Sequence, residues 1–389
     1  MIARHITAGH AAGPRVVVIS DTVDDINGVA LGLRRLVAAA NRAGHRMSLV
    51  GPAATRPIVD DVVRIASAMS AALPFYPDMT WSVPELPGLV SYLASHADLV
   101  QVATPGPMGI AGLIAGRMLG LPVIAQYHTE VAEYAARMTG LAMLRGLVEP
   151  LVGWFYQQAD LCLAPSDAVE RRLAAIGVAP ERICRVQRGV DLELFDPRRR
   201  DPGALARYGI TGPTALYVGR LSKEKNLDAL VAAWATVHAA RPDARLLVVG
   251  EGPLAGSLRG DGIVCTGPLY DHELATVFAS ADVFAFASET ETFGNVVVEA
   301  AASGVPAVVA TVGASREHVL DGVTGRVVDA SSPAFARAIL ELLGDRARRD
   351  EMAGAARLHA ASYELTRAVR STWAIYDRVL HPRPLEAAS

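Results

Sequence analysis

Short apolar runs recur along the whole chain, and this repetition is the feature that most constrains its fold. The runs consist mainly of Val, Ile and Leu, and they are followed by a loop and a segment with helical spacing, such as residues 31–43 and 226–239. Strands that are apolar on both faces are typical of a parallel sheet covered by helices. Because strands and helices alternate over two halves of similar length, the pattern predicts an α/β fold with two doubly wound domains.

The predicted strands are residues 16–20, 48–50, 99–103, 123–126, 161–164 and 183–186 in the first half, and 215–218, 246–249, 263–265, 283–287, 307–310 and 326–328 in the second. A linker is expected at residues 192–203, which contain two prolines and a cluster of charges. We therefore expect a first domain over residues 1–195 and a second over residues 196–364. The tail, residues 333–380, has helical spacing without a further strand. Its last helix, within residues 365–389, is expected to cross back to the first domain.

The charge balance and the cysteines exclude several classes of protein. A formal net charge of −3 over 389 residues gives no electrostatic case for a nucleic-acid partner. Cys162, Cys184 and Cys265 lie far apart without C-x-x-C spacing, which argues against a disulfide framework or a zinc site and fits a reducing cytoplasm. Residues 1–15 lack the apolar core of a signal peptide, and no uninterrupted apolar stretch is long enough for a membrane span, so we expect neither.

The loops that follow the strands are the candidate sites, because ligands of such sheets bind beyond the carboxyl ends of the strands. Arg220 and Lys225 follow the strand that ends near Gly219. Two cations near a helix N-terminus can hold a diphosphate. A solvated loop, in which Lys223, Glu224 and Lys225 pair among themselves, explains the same spacing equally well.

The next strand is followed by Glu251 between Gly250 and Gly252, and glycines on both sides of a residue allow a tight turn. Taken alone, a plain turn between strand and helix explains this segment better than a binding site does. The sequence contains no G-x-G-x-x-G, which argues against a dehydrogenase that binds NAD.

Two glutamates, Glu291 and Glu299, enclose a mainly apolar stretch. A helix is predicted from Gly294 to Ser303, so Glu291 lies in the loop before it and Glu299 lies inside it. The amides of Gly294 and Asn295 at the helix start could hold an anion. A carboxylate such as Glu299 can accept two hydrogen bonds side by side, which suits a ribose diol, and Glu291 could accept from sugar hydroxyls.

Two further candidates lie in the first half. Gly28 precedes an amphipathic helix and can bring its amide close to a phosphate. His128 follows the fourth strand, and this position favours a site over a structural histidine. The sequence contains no Asp-x-Asp, the usual arrangement for a metal-bridged sugar nucleotide. If a diphosphate leaves here, protein cations and amides must stabilise it, so we expect no metal and no other cofactor.

Taken together, these motifs resemble those of glycosyltransferase family 4, the retaining enzymes with the GT-B fold. The ordered set is Gly219-Arg220-x4-Lys225, Gly250-Glu251-Gly252-Pro253, Glu291-x7-Glu299, Asn27-Gly28-Val29, Tyr127-His128-Thr129 and residues 188–197. Within the family, the chain looks most like the GDP-mannose-dependent α-mannosyltransferases that build glycolipids. The fold implied is two Rossmann-like domains with a cleft between them. The chain departs from many relatives at Thr290, where they have a glycine.

The resemblance also implies roles for these residues. Arg220, Lys225 and Gly28 match groups that face the donor diphosphate. Glu291 and His128 match residues beside the transferred sugar. The remaining matches are Phe293, Gly294 and Asn295 as the amide-bearing turn, Glu299 as the ribose ligand, and Glu251 and Gly252 at the base.

The implied reaction transfers a hexose to a glycolipid or related glycan acceptor with retention of the anomeric configuration. Mannose from GDP-mannose is the first candidate for this hexose. Transfer from a UDP-sugar such as glucose, glucuronate or sulfoquinovose remains open, as does a sugar-nucleotide epimerase on the same fold. A non-catalytic sugar-nucleotide sensor is disfavoured, because the residues of the site are intact.

A lipid acceptor would require an enzyme of the cytoplasm to meet the inner membrane surface without spanning it. The candidates for this contact are the helix with Arg34, Arg35 and Arg42, and the apolar segment of residues 138–156. For both segments a buried core helix is the simpler expectation.

Overall fold

A computed structural model of the chain describes residues 13–24, 28–53, 60–73, 76–128, 130, 143–201 and 203–382. The chain forms two compact units. The first contains the described residues up to Gln126, the segment Trp154–Leu163 and the described residues from Thr372 onward. The second contains the described residues of Tyr127–Gly153 and Ala164–Ser371. The domain boundary expected between residues 195 and 196 stays a prediction.

The first half of the chain builds a seven-stranded sheet and a separate hairpin. Its strands are β1 (Arg15–Ile19), β2 (Arg46–Pro52), β3 (Val63–Ile65), β4 (Ser67–Leu73), β5 (Tyr76–Pro84), β6 (Leu99–Val102), β7 (Val123–Gln126), β8 (Leu161–Ala164) and β9 (Ile183–Arg185). The order in the large sheet is β3-β2-β1-β6-β7-β8-β9, and the pairs from β3 to β8 are parallel. Strands β4 and β5 form the antiparallel hairpin. The helices are α1 (Gly28–Arg42), α2 (Leu86–His96), α3 (Pro107–Leu119), α4 (Met143–Gln158) and α5 (Asp167–Ala175).

The second half builds a six-stranded parallel sheet. Its strands are β10 (Thr214–Val218), β11 (Arg245–Val249), β12 (Ile263–Gly267), β13 (Val283–Phe286), β14 (Ala307–Ala310) and β15 (Gly325–Val328), in the order β12-β11-β10-β13-β14-β15. The helices are α6 (Leu227–Ala240), α7 (Asp271–Ser280), α8 (Asn295–Ala302), α9 (Ser332–Gly344), α10 (Arg346–Ala360) and α11 (Leu365–Leu380). The strands pack with buried aromatic side chains such as Trp234, Phe278 and Phe335 into one apolar core.

All twelve predicted strands are present, with ends that lie within two residues of the predicted ones, and the predicted α/β fold is confirmed. The pattern of apolar runs does not predict β3 or the hairpin. The hairpin contains no continuous apolar run, because Ser, Ala and Pro interrupt it, and prolines argue against a strand when only local sequence is read. The three cysteines are free, as expected.

Two helices were candidates for membrane contact. Helix α1 buries Ala30, Leu33 and Val37, as expected of a core helix. For the segment of residues 138–156, which is described from Met143 onward, the expectation of a buried helix is wrong for one face. None of the helices in the described ranges has the length and apolarity that a membrane crossing needs.

The exposed face of α4 carries large apolar side chains at helical spacing. They are 44–70% exposed and are Met143, Leu147, Leu151 and Trp154. Val152, Phe155 and Tyr156 on the same helix are buried. Helix α4 therefore covers the core with one face and presents a row of apolar side chains on the other.

The C-terminal part of α11 packs with the first unit. The Tyr376 hydroxyl donates to Gln101 Oε1, and Gln101 Nε2 donates to Gln126 Oε1 at 2.8 Å. The Trp373 ring stacks on the His45 ring with the centroids 3.9 Å apart. Buried polar groups need such partners, so these contacts fix the end of the helix against β6 and β7.

In the first unit, the loop after β1 is joined to the start of α3. The Asp21 carboxylate accepts hydrogen bonds from Thr104 Oγ1 at 2.6 Å and from the Met108 amide at 2.8 Å. The protein's own anion thereby satisfies an amide at the N-terminus of α3, which would otherwise lack a partner within the helix.

In the second unit, His318 joins the turn before α8 to the start of α11. It lies at the end of the short 3-10 helix Ala314–His318 and is buried. The His318 ring contacts the carbonyl oxygen of Phe293 through Nε2 at 2.6 Å and the Tyr363 hydroxyl through Nδ1 at 3.0 Å. A neutral ring that donates from Nε2 and accepts at Nδ1 satisfies both contacts.

Unfolding at different pH values tests this state of His318. Burial lowers the pKa of His318 from 6.5 to about 4, although the Phe293 carbonyl raises it. The neutral ring therefore contributes stability that is complete above pH 6.5 and is lost as the pH falls towards 4, a difference of about 3 kcal/mol. We expect the denaturant midpoint of the wild type to fall more steeply over this range than that of His318→Gln. His272→Gln, which changes an exposed histidine of the same unit, should follow the wild type. Equal slopes for the wild type and His318→Gln would contradict the assignment.

Candidate functional site

The candidate site lies where the strand order of the second sheet reverses. Strands β10 and β13 are neighbours in the middle of this sheet, and successive strands extend outward from them on both sides. The loops after two such strands diverge and leave a crevice at the carboxyl ends, which is the usual ligand position in open α/β sheets. The predicted residues Arg220 and Lys225 follow β10, and Glu291 follows β13.

The two loops meet in an ion pair. Lys225 Nζ lies 2.5 Å from Glu291 Oε1, and the two side chains are only 20% and 15% exposed. Glu291 Oε1 also accepts from Ser288 Oγ at 2.8 Å. The interpretation of residues 223–225 as a solvated loop that pairs within itself is therefore wrong for Lys225, because its partner comes from another strand-end loop. Lys223 is exposed.

Two further contacts fix the conformation of these loops. Thr290 Oγ1 donates to the carbonyl oxygen of Glu224 at 3.1 Å, so the residue that departs from the family pattern joins the two loops. The Tyr217 hydroxyl donates to the carbonyl oxygen of Arg220 at 2.9 Å. Burial, together with Glu291 and then Glu224, raises the pKa of Tyr217, so this hydroxyl stays a neutral donor.

The Gly250-Glu251-Gly252 turn packs directly on the loop that carries Arg220. The Leu221 amide donates to the Glu251 carbonyl at 2.8 Å. Gly252 has φ +151°, and a Cβ atom there would lie 2.5 Å from the Leu221 carbonyl oxygen. Gly252 is thus required by close approach of two backbones, and Glu251 itself is exposed at this edge.

A second position that requires glycine lies in the turn before α8. Gly294 has φ +89°, and a Cβ atom on it would lie 2.6 Å from Ser315 Oγ. Phe293 is buried beside it, and its ring centroid lies 4.3 Å from that of His318. Helix α8 then begins at Asn295, one residue later than predicted, and buries Glu299 within its length.

His128 belongs to the same unit and is also buried, at 5% exposure. Its carbonyl oxygen accepts from Thr292 Oγ1 at 2.8 Å, which ties it to the residue after Glu291. Burial and, to a smaller extent, Arg188 lower the pKa of His128 well below its ordinary value. The imidazole is therefore neutral at physiological pH.

Arg188, which follows β9, is a further residue of this neighbourhood and was not among the predicted candidates. Arg188 Nη2 lies 2.6 Å from His128 Nδ1, and its guanidinium carbon lies 5.7 Å from the centroid of the Phe293 ring. Burial lowers the pKa of Arg188 to about 10, and Glu291 raises it. The signal in the sequence is a cation just beyond a strand, the same signal that marks Arg220 as a candidate.

The remaining predicted residues are less closely connected. Gly28 begins α1 in the first unit and is exposed. Asn27 and Thr129, which carry part of the motif resemblance, lie outside the described residues. In the described part of the chain, no three His, Cys, Asp or Glu side chains lie close enough together to hold a metal ion. The structure thus brings Lys225, Glu291, Phe293 and His128 into one neighbourhood, with Arg188 added.

Comparison with protein families matches both halves of the chain. Residues 26–194 match the model described as Glycosyltransferase Family 4, and residues 212–345 match the model described as Glycosyl transferases group 1.

Several curated relatives are similar over most of their length. The chain is 33% identical to a GDP-mannose-dependent alpha-mannosyltransferase of Mycolicibacterium smegmatis, over 86% of this chain and 90% of the relative. It is 33% identical to a protein of the same name from Mycobacterium tuberculosis, over 80% of this chain and 83% of the relative. It is 32% identical to the sulfoquinovosyl transferase SQD2 of Arabidopsis thaliana, over 77% and 61% of the two chains.

Solved structures share the fold. A sucrose-phosphate synthase from Thermosynechococcus elongatus superimposes with a TM-score of 0.75 at 22% identity and covers 95% of this chain and 100% of its own. The Anabaena protein HepE in complex with UDP-glucose gives a TM-score of 0.74 at 18% identity, over 94% and 100% of the two chains. The family models and the extended identity to the mannosyltransferases agree with the motifs along the sequence, and the chain belongs to glycosyltransferase family 4.

Proposed function

We propose that this glycosyltransferase moves a hexose, with GDP-mannose as the first candidate donor, to a glycolipid or related glycan acceptor and retains the anomeric configuration. The observation that carries the proposal is the Lys225–Glu291 pair at the crevice between β10 and β13. It puts a cation for a diphosphate and a carboxylate for sugar hydroxyls side by side. The mannosyltransferase relatives at 33% identity supply the choice of donor.

In this proposal, Lys225 and Arg220 stabilise the departing diphosphate, and no metal ion takes part. Both residues lie in the loop that follows β10. Cations that are held in place before the reaction are an effective source of transition-state stabilisation where water is excluded. The amides of Gly294 and Asn295 lie at the N-terminus of α8, and the partial positive charge there adds to this stabilisation of the diphosphate. The role that the family resemblance implies for Gly28 stays a prediction.

Glu291 acts as a ligand of sugar hydroxyls rather than as a nucleophile. Its Oε1 atom accepts from both Lys225 and Ser288, and a carboxylate that is already engaged in this way is a poor attacking group. The acceptor hydroxyl instead attacks from the face that the diphosphate leaves. Glu299 holds the ribose, and Glu251 and Gly252 border the base.

A UDP-sugar is the second candidate donor. Similarity to the Arabidopsis sulfoquinovosyl transferase, at 32% identity, favours keeping it. An epimerase gains no such support, because the family of the chain transfers sugars and the neutral His128 is the only obvious partner for Glu291.

Removal of Lys225 tests the diphosphate site. Lys225→Ala should lower kcat/KM for sugar transfer by about 100- to 1000-fold, because a charge that interacts most strongly with the leaving group is lost. Lys223→Ala is the matched control, since Lys223 is an exposed lysine of the same turn and should leave the rate near that of the wild type. Equal rates for both variants would remove Lys225 from the mechanism, provided that the melting temperatures agree.

A thermal-shift series tests the donor. At a concentration one hundred times its dissociation constant, a ligand stabilises the folded protein by about 2.7 kcal/mol, which a melt resolves. We expect GDP-mannose to raise the melting temperature more than UDP-glucose, UDP-glucuronate or UDP-sulfoquinovose. The opposite order would replace the GDP-mannose assignment by the UDP-sugar one. Turnover with the best donor should persist after a chelator is added, and its loss would contradict the metal-free mechanism.

We also propose that the enzyme works in the cytoplasm and meets the membrane surface through α4. The row of Met143, Leu147, Leu151 and Trp154 supports this contact, because apolar side chains along one helix face can enter the boundary between headgroups and acyl chains. Three free cysteines support a reducing compartment.

Liposome sedimentation tests the membrane contact. The wild type should sediment with vesicles that contain anionic lipid at low salt, and Leu147→Glu should reduce the bound fraction several-fold because a charge then enters the apolar row. Leu358→Glu is the control, because Leu358 is an isolated exposed leucine on α10. If the wild type stays in the supernatant, or if both variants bind alike, α4 is not the membrane contact.

A further inference from the structure

The hydrogen bond between Arg188 and His128 determines where the imidazole carries its proton. An arginine guanidinium has only donors and no acceptor. His128 Nδ1 lies 2.6 Å from Arg188 Nη2 and must therefore accept a hydrogen bond from it. The lone pair of Nδ1 is occupied by this contact, so Nδ1 carries no proton. The single proton of the neutral ring is then on Nε2.

The other side of the ring is unsatisfied. His128 Nε2 is buried and has no hydrogen-bond partner among the described residues. An unmade hydrogen bond of this kind costs about 1–3 kcal/mol, and buried polar groups in folded proteins are nearly always paired. An orphaned donor beside a ligand site is accounted for if the ligand supplies the acceptor.

Arg188 is itself held by the groups around it. Its guanidinium packs near the face of the Phe293 ring and interacts favourably with Glu291. The charged group that acts on His128 is thus Arg188 from the loop after β9, and Glu291, which pairs with Lys225, acts in turn on Arg188. The negative charge of Glu291 is shared between Lys225 and Arg188, which keeps the arginine charged next to a histidine.

We propose that Arg188 is a positioning residue that fixes His128 as a neutral Nε2–H donor, which binds an oxygen of the transferred sugar. The proposal rests on the proposed function for its ligand, whereas the tautomer itself is independent of it. His128 in this form cannot accept a proton at Nε2, so it binds the sugar and does not act as a general base. Arg188 contributes to transfer through His128 and without contact to the reacting atoms.

Nitrogen NMR of protein with 15N-labelled histidine measures the tautomer directly. The His128 signals are assigned by their loss in His128→Gln. We expect Nδ1 to have the shift of a hydrogen-bonded acceptor nitrogen and Nε2 that of a protonated nitrogen, unchanged over the physiological pH range. A proton on Nδ1, or a charged ring near neutral pH, would overturn the proposal without any variant.

Three substitutions then test Arg188. Arg188→Met removes the donor, should abolish the single-tautomer spectrum of His128, and should lower kcat for transfer by about 10- to 100-fold. Arg188→Gln keeps an uncharged N–H donor and should restore both in part, which loss of packing alone would not allow. Arg171→Met changes an exposed arginine on α5 and should leave the spectrum and the rate unchanged. An unaltered His128 spectrum in Arg188→Met would refute the role of Arg188. If that variant does not fold, the wild-type tautomer and Arg188→Gln decide.

Ligand addition separates this proposal from the proposed function. GDP-mannose should shift the His128 Nε2–H resonance, and GDP alone should leave it in place, because only the former carries the sugar oxygen. Equal shifts with both would place the acceptor on the nucleotide and overturn the sugar contact. If GDP-mannose fails to bind at all while UDP-glucose binds, the donor assignment fails, and UDP against UDP-glucose becomes the same comparison.

Discussion

Parallel strands bring all their carboxyl ends to one edge of the sheet, and the contacts of the site depend on this constraint. Because β10 and β13 are neighbours in the sheet although distant in the chain, the loops after them meet. Lys225 from one loop and Glu291 from the other then lie 2.5 Å apart. Neither charge would be stable in so enclosed a place alone, since a buried charge needs a partner. The pair therefore preserves a cation and a carboxylate at the crevice.

The two units use the same position of their sheets in different ways. In the first, the Asp21 carboxylate after β1 binds Thr104 and the Met108 amide at the start of α3, after the neighbouring β6. The protein thus fills that helix N-terminus with its own anion. In the second, Lys225 and Glu291 occupy the equivalent place with side chains that retain some exposure. The second unit thus keeps a cation and a carboxylate at the position where we propose that the donor binds.

Two uncharged histidines hold the segment between Glu291 and α8. His318 holds the carbonyl of Phe293, and burial keeps it uncharged. His128, held through Thr292 and Arg188, is uncharged for the same reason. The His318 ring and the His128 carbonyl oxygen both contact the segment that joins Glu291 to α8. A turn with φ +89° at Gly294 gains rigidity from such contacts, and a rigid turn fixes the direction of the amides at the start of α8.

The sequence by itself determined the twelve core strands, their alternation with helices and the identity of Lys225, Glu291, Gly294 and His128 as candidates. Apolar runs and glycines carry that information locally, since strand burial and tight turns depend on neighbouring residues. The antiparallel hairpin was not predicted, because its many Ser, Ala and Pro residues give too weak a local signal for a strand. Only the tertiary structure decided that Lys225 pairs with Glu291, that Arg188 fixes His128, and that α4 exposes an apolar row. These are contacts between residues distant in the chain, or faces left uncovered by distant segments, and sequence spacing contains neither.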